Sequence, residues 1–489
     1  MREMVWTQIF LFGASCVAGF IIARKRKLHR FHLHILSSKS YDYGRFFGMD
    51  VGGTLAKMVF FQPTSATLRA KAFRGSQTVE ESMRSIEDFL TTAASGTTSD
   101  TFQREERLTL DVDELGGTIH FFSFQTNKME EIVDFVRYRF FHRYIKNMPC
   151  TGGGAVDALT LLFAVCDAGA RARMQFCRLF EEKLGIRLEK TDEMDALIKG
   201  LNFVLQHSRD ECYRFKDVDL GTQGLGTATK KIVPTPPPSA LYPFLLVNIG
   251  SGVSILKVSG PHEYERVSGT SLGGGTFWGL CRTMSKLRSF DAAMDASVEG
   301  NSNHVDMTVG DIYGAAGYEP FNLKSTTVAS SFGKMGAKQL PNTNAPVHDE
   351  DLARSLLFMI TQNIGQVAYL NARRVDTKRI YFCGNFLRRN EIALRQLAYA
   401  IDFWSGSEME AQFFHHEGFF GSLGTFLTQF EAATWSASTA AATSEQQASA
   451  PDDAGTGRQD MRSTPPAPAS DDTFNRSDSV TRLPSPEAV

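Results

Sequence analysis

Two apolar segments of this chain contain the same glycine-turn pattern, and this repetition constrains the fold more than any other feature. MDVGGT at 49–54 and VNIGSG at 247–252 both follow the order apolar, Asp or Asn, apolar, Gly, small, small, at an offset of 198 residues. A second apolar run follows each turn, so each segment predicts a β-hairpin. The repeat predicts two related half-domains that present their turns to a shared cleft.

Helical patterns lie between the predicted strands. Apolar residues recur every three or four positions in FCRLFEEKLGI, MDALIKGLNFVLQH, FWGLCRTMSKL, DLARSLLFMITQNIGQVAYLNARR and ALRQLAYAIDFW, whereas RIYFCGNF near 383 has the character of a strand. Strands mixed with helices predict an α/β fold. A loop rich in proline and glycine at 221–240 separates an N-terminal half at 44–220 from a C-terminal half at 241–430.

Charge and cysteine content exclude several classes of function. The 52 basic and 54 acidic residues give a net charge of -2, so no global basic field is present to bind nucleic acid. The 7 cysteines show no CxxC spacing, which argues against a disulfide framework and a zinc site and favours a reducing compartment. His415 and His416 are adjacent and lack the spacing of a helical metal site.

Both ends of the chain differ from its centre. Within 1–30, an uncharged apolar run at 4–23 is followed by RKRKLHR, a pattern typical of a signal anchor that tethers a cytosolic body to a membrane. An organelle-targeting presequence and a misassigned start codon are the alternatives. The residues at 433–489 contain almost no large apolar side chains and predict a disordered tail.

The glycine turns are candidate phosphate-binding sites. Glycine lets the backbone approach an anion closely, and consecutive N–H groups can converge on a phosphate oxygen. In the first turn, Asp50 is a candidate magnesium ligand and Lys57 a candidate phosphate partner. The alternative is a tight hairpin that needs glycine. Gly273, Gly274 and Gly275 precede a predicted helix, and TGGG at 151–154 forms a fourth turn.

Several ordered motifs give the chain a family resemblance. VNIGSGVSIL, RVSGTSLGGGTF, KTDEMDALIKGLNF, VASSFG, GNFLRRN, LAYAIDFWS and HHEGFFGSLG occur in the order found in the eukaryotic-type (type II) pantothenate kinases. The resemblance covers about residues 46–427. That family belongs to the superfamily of actin, the 70-kilodalton chaperones and the sugar kinases, so the resemblance implies duplicated actin-like (ribonuclease H-like) ATPase halves that flank a nucleotide cleft.

The resemblance also implies an activity. Members transfer the γ-phosphoryl group of ATP, with Mg²⁺, to pantothenate in the first step of coenzyme A biosynthesis. They are inhibited by acetyl-CoA or CoA and act as dimers. We expect the same here, as a homodimer or as a heteromer with a paralogue. The alternative is a catalytically impaired homologue that serves as a regulatory or scaffold subunit of a heteromeric kinase.

Site residues follow from the matched motifs. Glu193 corresponds to the general base, whereas on residue type alone Asp192 is a helix cap. The positions matching contacts to pantothenate or acyl-CoA are Ser251, Ser254, Arg266, Tyr313, Ala400 and Trp404, the last two from across the dimer interface. The positions expected around the nucleotide are Gly52, Gly53, Thr54, Lys57, Gly273, Gly274, Gly275 and Asn385, with Asp50 at the metal.

The chain departs from the family pattern at one place. An apolar insert at 156–174 follows the TGGG turn. It predicts either an additional helix or translated intron sequence, and it puts the position of that turn in doubt.

Overall fold

The structure, a computed structural model, describes residues 43–52, 55–63, 88, 102–138, 145–152, 168–218, 228–336, 346–388 and 390–429. A first sheet contains β1 (Phe47–Val51), β2 (Leu55–Pro63), β3 (Phe102–Arg104), β4 (Leu110–Val112), β5 (Gly117–Gln125), β6 (Asn147–Thr151) and β7 (Arg187–Lys190). A second contains β8 (Cys212–Lys216), β9 (Thr229–Val233), β10 (Phe244–Ile249), β11 (Val253–Val258), β12 (Tyr264–Thr270), β15 (Arg379–Cys383) and β16 (Glu410–Phe414). The short strands β13 (Met307–Thr308) and β14 (Val328–Ser330) pair separately.

Ten named helices accompany these strands in the described ranges. They are α1 (Met129–Tyr138), α2 (Ala168–Leu184), α3 (Glu193–His207), α4 (Pro238–Leu241), α5 (Gly274–Met284), α6 (Phe290–Glu299), α7 (Val309–Tyr313), α8 (Gly333–Gly336), α9 (Asp349–Arg374) and α10 (Glu391–Ser405). A further helical segment occupies 420–429. The five helical patterns in the sequence correspond to α2, α3, α5, α9 and α10.

The two sheets repeat one topology. In the first, β5-β2-β1 are antiparallel neighbours, and β6 and β7 continue parallel to β1. In the second, β12-β11-β10 are antiparallel neighbours, and β15 and β16 continue parallel to β10. Both predicted hairpins are present at equivalent places, as β1–β2 and β10–β11. The prediction of an α/β fold with duplicated actin-like halves is therefore confirmed.

Three elements connect the halves. Strand β8 lies in the sequence range predicted for the N-terminal half but pairs with β16, and β9 lies in the predicted linker at 221–240 but pairs with β8. In the other direction, the helical segment 420–429 packs on α3. A methyl group added at Gly200 would lie 2.1 Å from the Phe420 carbonyl oxygen, and one added at Gly424 would lie 1.8 Å from the Ala196 carbonyl oxygen. Glycine at both positions permits this close helix crossing.

Two hydrophobic cores hold the sheets and helices together. The first packs buried residues of the first sheet against α3 and the segment 420–429, and the second packs the second sheet against α9 and α10. Turn residues at the ends of β1 and β10 therefore extend from rigid, packed strands.

Several predictions concern residues outside the described ranges. These are the predicted anchor at 1–30, the predicted tail at 433–489, Gly53, Thr54 and most of the insert. Within the insert range, 168–174 form the first turns of α2. In the described part of the chain, no helix combines the length and apolar character needed to cross a bilayer.

Candidate active site

Asp50 and Lys57 lie opposite each other near the turn of the first hairpin. They are cross-strand partners in the β1–β2 ladder, so their side chains share one face. Asp50 also pairs in register with Thr151, which ends β6 and begins the TGGG string. The hairpin and this turn therefore meet at Asp50.

Two glycines make room for the Asp50 carboxylate. A methyl group added at Gly152, whose φ is +86°, would lie 2.5 Å from Asp50 Oδ1, and one added at Gly421 would lie 2.9 Å from Oδ2. Burial raises the pKa of Asp50, and the Lys57 charge opposes that shift. Any larger residue at either glycine would displace this carboxylate.

Lys57 is a buried cation. It is 2% exposed, and burial lowers its pKa to about 8 even though Asp50 favours the charged form. Its Nζ lies 5.8 Å from the centre of the Phe419 ring. A methyl group added at Gly418 would lie 2.7 Å from this Nζ and 3.3 Å from Asn385 Oδ1. Lys57 and Asn385, both predicted at the nucleotide, are thus close together.

Glu193 begins α3 and is accessible to solvent. Desolvation raises its pKa, and the negative charges of Asp50 and Asp192 raise it further, while Lys190 acts in the opposite direction. Asp192 caps the helix, because its side chain accepts hydrogen bonds from Met194 N and Asp195 N, each at 2.9 Å. Asp192 is therefore the capping carboxylate. Glu193 takes no part in the cap, and its pKa responds to the charge of Asp50.

The second glycine turn packs against the glycines that begin α5. Gly274 N donates to Gly250 O and Gly275 N donates to Ser251 O, each at 2.9 Å, and Gly273 N donates to Ser271 O at 3.2 Å. The N–H groups of these three glycines are thus used within the protein. Close packing explains why positions 273–275 are glycine, since methyl groups added there would lie 2.7–3.0 Å from the backbone of 250–252.

A β-bulge places Arg266 beside Ser254. Ser254 pairs with Gly269 and Leu256 pairs with Arg266, so Val267 is an extra residue between the paired positions. Ser254 and Leu256 are two residues apart on β11, so their side chains share a face. Their partners Gly269 and Arg266 share that face, so Arg266 lies on the same side of the sheet as Ser254. A methyl group added at Gly269 would lie 2.3 Å from Arg266 Nη2, so the guanidinium covers this glycine. Ser251 is exposed at the adjacent turn.

The three residues predicted to line the acceptor pocket differ in exposure. Tyr313 is 54% exposed and packs against Tyr318 with the two rings tilted and their centres 4.5 Å apart. Trp404 is 40% exposed. Ala400 is fully buried, and a methyl group added at Gly365 would lie 2.6 Å from its Cβ, so within this chain it mediates the packing of α9 on α10.

The residue patterns missed Glu417. Burial raises its pKa to about 8, and Lys57 and Lys230 act against that shift. Among the described residues, neither Glu417 Oε2 nor Asn385 Oδ1, both buried, has a hydrogen-bond partner. HHEGFFGSLG contributed to the resemblance, but nothing in the spacing of that string indicated that Glu417 and Gly418 lie beside Lys57.

The site has the oxygen chemistry that magnesium prefers. Magnesium is usually bound by one or two carboxylates together with substrate phosphates and water. The Asp50 carboxylate meets this requirement, because among the described residues its oxygens have no hydrogen-bond partner. The described residues contain no group of three or more His, Cys, Asp and Glu side chains suited to a metal held by protein alone. His416 is instead buried against Glu211, with 2.6 Å between Nδ1 and Oε2.

Comparisons with known proteins agree with this architecture. The family model described as Fumble matches residues 46–428. Pantothenate kinase 1 of Arabidopsis thaliana is 43% identical over 314 residues, which cover 64% of this chain and 76% of that protein. Pantothenate kinase of Schizosaccharomyces pombe is 40% identical over 321 residues, 64% and 72% of the respective chains.

Coverage differs among the relatives. Pantothenate kinase 2 of Oryza sativa subsp. japonica is 42% identical over 316 residues, 64% of this chain but 33% of that protein, so the chain spans about a third of this relative's length. A solved structure, glucokinase from Balamuthia mandrillaris in complex with glucose, has a TM-score of 0.35 and 10% identity over 83% of this chain and 98% of its own. At that distance the likeness has no bearing on function. The Fumble match extends over both halves and every site residue described above, and the chain belongs to the Fumble family.

Proposed function

We propose that this chain is an ATP-dependent pantothenate kinase that transfers the γ-phosphoryl group of ATP to pantothenate to give 4'-phosphopantothenate, the first step of coenzyme A biosynthesis. The observation that carries the proposal is the family match across both halves, together with pantothenate kinase relatives at 40–43% identity. The charge interactions of Asp50 with Lys57 and with Glu193 support it.

Glu193 is the proposed general base. It accepts the proton of the pantothenate primary hydroxyl as the oxygen attacks the γ-phosphorus and the bond to the ADP oxygen breaks. A raised pKa suits this role, because general bases are most effective when their pKa approaches the working pH. Asp50 and Asp192 supply the negative charge that raises the pKa together with desolvation.

Phosphates bind at the first hairpin in this proposal. Lys57 pairs with phosphate oxygens, and Gly52, Gly53, Thr54 and Asn385 complete the nucleotide side. Asp50 would hold Mg²⁺, which when bound neutralises charge on the phosphates. Gly273, Gly274 and Gly275 contribute by letting ligands come close to the backbone, since their N–H groups are engaged with the 250–252 turn and Ser271.

The acceptor binds at the second hairpin. The Arg266 guanidinium suits the pantothenate carboxylate, because its planar fork can donate to both oxygens. Ser251 and Ser254 supply hydroxyl groups at the same end of the sheet. Acetyl-CoA or CoA, which contain the pantothenate moiety, would compete for this cleft as feedback inhibitors.

A dimer completes the acceptor pocket in this proposal. Tyr313, Phe403 and Trp404 leave large aromatic surfaces exposed in the single chain, which favours their burial by a second copy or a paralogue. We propose a cytosolic location, with 4–23 as the segment that would tether the protein to a membrane.

Purified protein tests the proposed activity directly. The assay follows radiolabel from [γ-³²P]ATP into phosphopantothenate, with glucose as a control acceptor and acetyl-CoA as the added inhibitor. Pantothenate-dependent product, reduced by acetyl-CoA, is expected. Folded protein that binds ATP and makes no product would instead favour a catalytically impaired regulatory subunit.

A further inference from the structure

One hydrogen bond connects the helix that carries Glu193 with the strand that carries Arg266. Tyr264 Oη donates to Asp195 Oδ1 at 2.6 Å. Asp195 lies two residues after Glu193 in the first turn of α3, and Tyr264 lies two residues before Arg266 on β12. This contact therefore joins the two halves next to both functional side chains.

The chemistry of the two groups favours this bond. The acceptor is a carboxylate, and hydrogen bonds to charged acceptors are shorter and stronger than neutral ones. Burial and the Asp195 carboxylate raise the pKa of Tyr264, which favours the protonated hydroxyl that donates this bond. Asp195 is free for this contact because Asp192 supplies the helix cap.

A second attachment of α3 provides a comparison. Asn202 Nδ2 donates to Pro261 O at 3.0 Å, and Tyr242 Oη donates to Asn202 Oδ1 at 2.9 Å. Asn202 lies about two helical turns beyond Asp195. The same helix is thus bound to the second half twice through a tyrosine hydroxyl, once near Glu193 and once away from it.

We propose that Tyr264 and Asp195 are a positioning pair that fixes the separation between the Glu193 carboxylate and the Arg266 guanidinium. The inference rests on the proposed function, in which Glu193 must reach the hydroxyl of an acceptor whose carboxylate is bound by Arg266. The pair acts through these two side chains and does not itself touch the acceptor. Loss of the bond leaves each functional group present but lets α3 and β12 move relative to each other.

Matched tyrosine variants test the proposal. In Tyr264→Phe, kcat is expected to fall by about tenfold or more, because small misplacements of reacting groups are costly, while KM for pantothenate changes by less than about threefold. Tyr242→Phe removes the tyrosine hydrogen bond at the distant attachment and leaves the bond from Asn202 to Pro261 O in place. It is expected to keep kcat within about twofold of wild type at a comparable loss of Tm. Tyr264→Phe combined with Asp195→Ala should be no slower than Asp195→Ala alone, since the two residues act as a unit.

Distinct results overturn the positioning role and the proposed function. A wild-type kcat in Tyr264→Phe, or an equal loss of kcat in Tyr242→Phe, overturns the positioning role while pantothenate kinase activity stands. If folded wild-type protein phosphorylates no pantothenate, the proposed function fails, and the pair is judged by the distance between spin labels at positions 193 and 266. A distribution broadened by Tyr264→Phe and not by Tyr242→Phe supports the pair, and an unchanged distribution overturns it.

Discussion

Lys57 and Ser254 occupy equivalent positions in the two halves of the molecule. Lys57 is the cross-strand partner of Asp50 in the first hairpin, and Ser254 is the cross-strand partner of Asn248 in the second. The same backbone arrangement thus presents a buried cation and carboxylate on one side and two neutral polar groups on the other. In the proposed function, the charged pair serves the phosphates and the neutral pair lies with the acceptor.

The buried ammonium of Lys57 predicts a loss of activity at alkaline pH. Its pKa is about 8, so the charge disappears as the pH rises through that value. We expect kcat/KM for ATP to decline above about pH 8 in the wild type. Lys57→Arg should move the decline upward by about one pH unit or more, because arginine stays protonated. A decline at the same pH in both proteins would assign it to another group.

Asp192 provides a test of how the pKa of Glu193 is set. Asp192→Asn keeps an effective helix cap but removes one of the charges that raise the Glu193 pKa. The base must be ionised, so activity rises with pH through its pKa. The rising limb of the kcat profile should therefore move to lower pH in Asp192→Asn, with little change in Tm. A limb that stays in place would mean that Asp192 does not act on the titrating group.

The close crossing of α3 and the segment 420–429 predicts a steric requirement for glycine. Gly424→Ala would place a methyl group 1.8 Å from the Ala196 carbonyl oxygen, and we expect a loss of about 1–3 kcal/mol in the free energy of unfolding.

Gly279→Ala is the matched control for that variant. It lies in α5 with no atom within 4 Å of the added methyl group, and should be neutral or stabilising by up to about 1 kcal/mol. Denaturant unfolding measures both variants. Equal effects would contradict the crossing.

The contact between Gly269 and Arg266 predicts a specific binding defect. The methyl group of Gly269→Ala would displace the guanidinium and would also lie 2.6 Å from the Val253 carbonyl oxygen, which strains the pairing of β11 with β12. We expect KM for pantothenate to rise by about tenfold while KM for ATP is retained. Initial rates at varied concentrations of each substrate measure the two constants. An unchanged KM for pantothenate would remove Arg266 from acceptor binding.

Much of the fold could be predicted because its signals are local. The period of apolar residues identified α9 and α10, and the glycine turns identified both hairpins. The pairing of β8 and β9 with the second sheet could not be predicted, since strand partners far apart in sequence leave no local pattern. The same holds for the return of 420–429 to α3, which depends on glycines whose partner is another helix.

In the candidate site, too, contacts between distant parts of the sequence could not be predicted. Glu193 and Asp50 are 143 positions apart in the sequence, and only the fold makes their charges interact. The glycines at 273–275 suggested free N–H groups, yet the tertiary structure uses those groups to bind the 250–252 turn and Ser271. Glu417 and the bond between Tyr264 and Asp195 carry no sequence signal, because each depends on contacts between separate elements.

The rate of phosphoryl transfer to pantothenate by Glu193→Gln tests the central claim most directly. Glutamine preserves the shape of the side chain but cannot accept the hydroxyl proton. We predict that wild-type protein forms phosphopantothenate and that Glu193→Gln lowers kcat by about a hundredfold or more, with Tm and KM for ATP near their wild-type values. A wild-type kcat in folded Glu193→Gln protein would contradict the account.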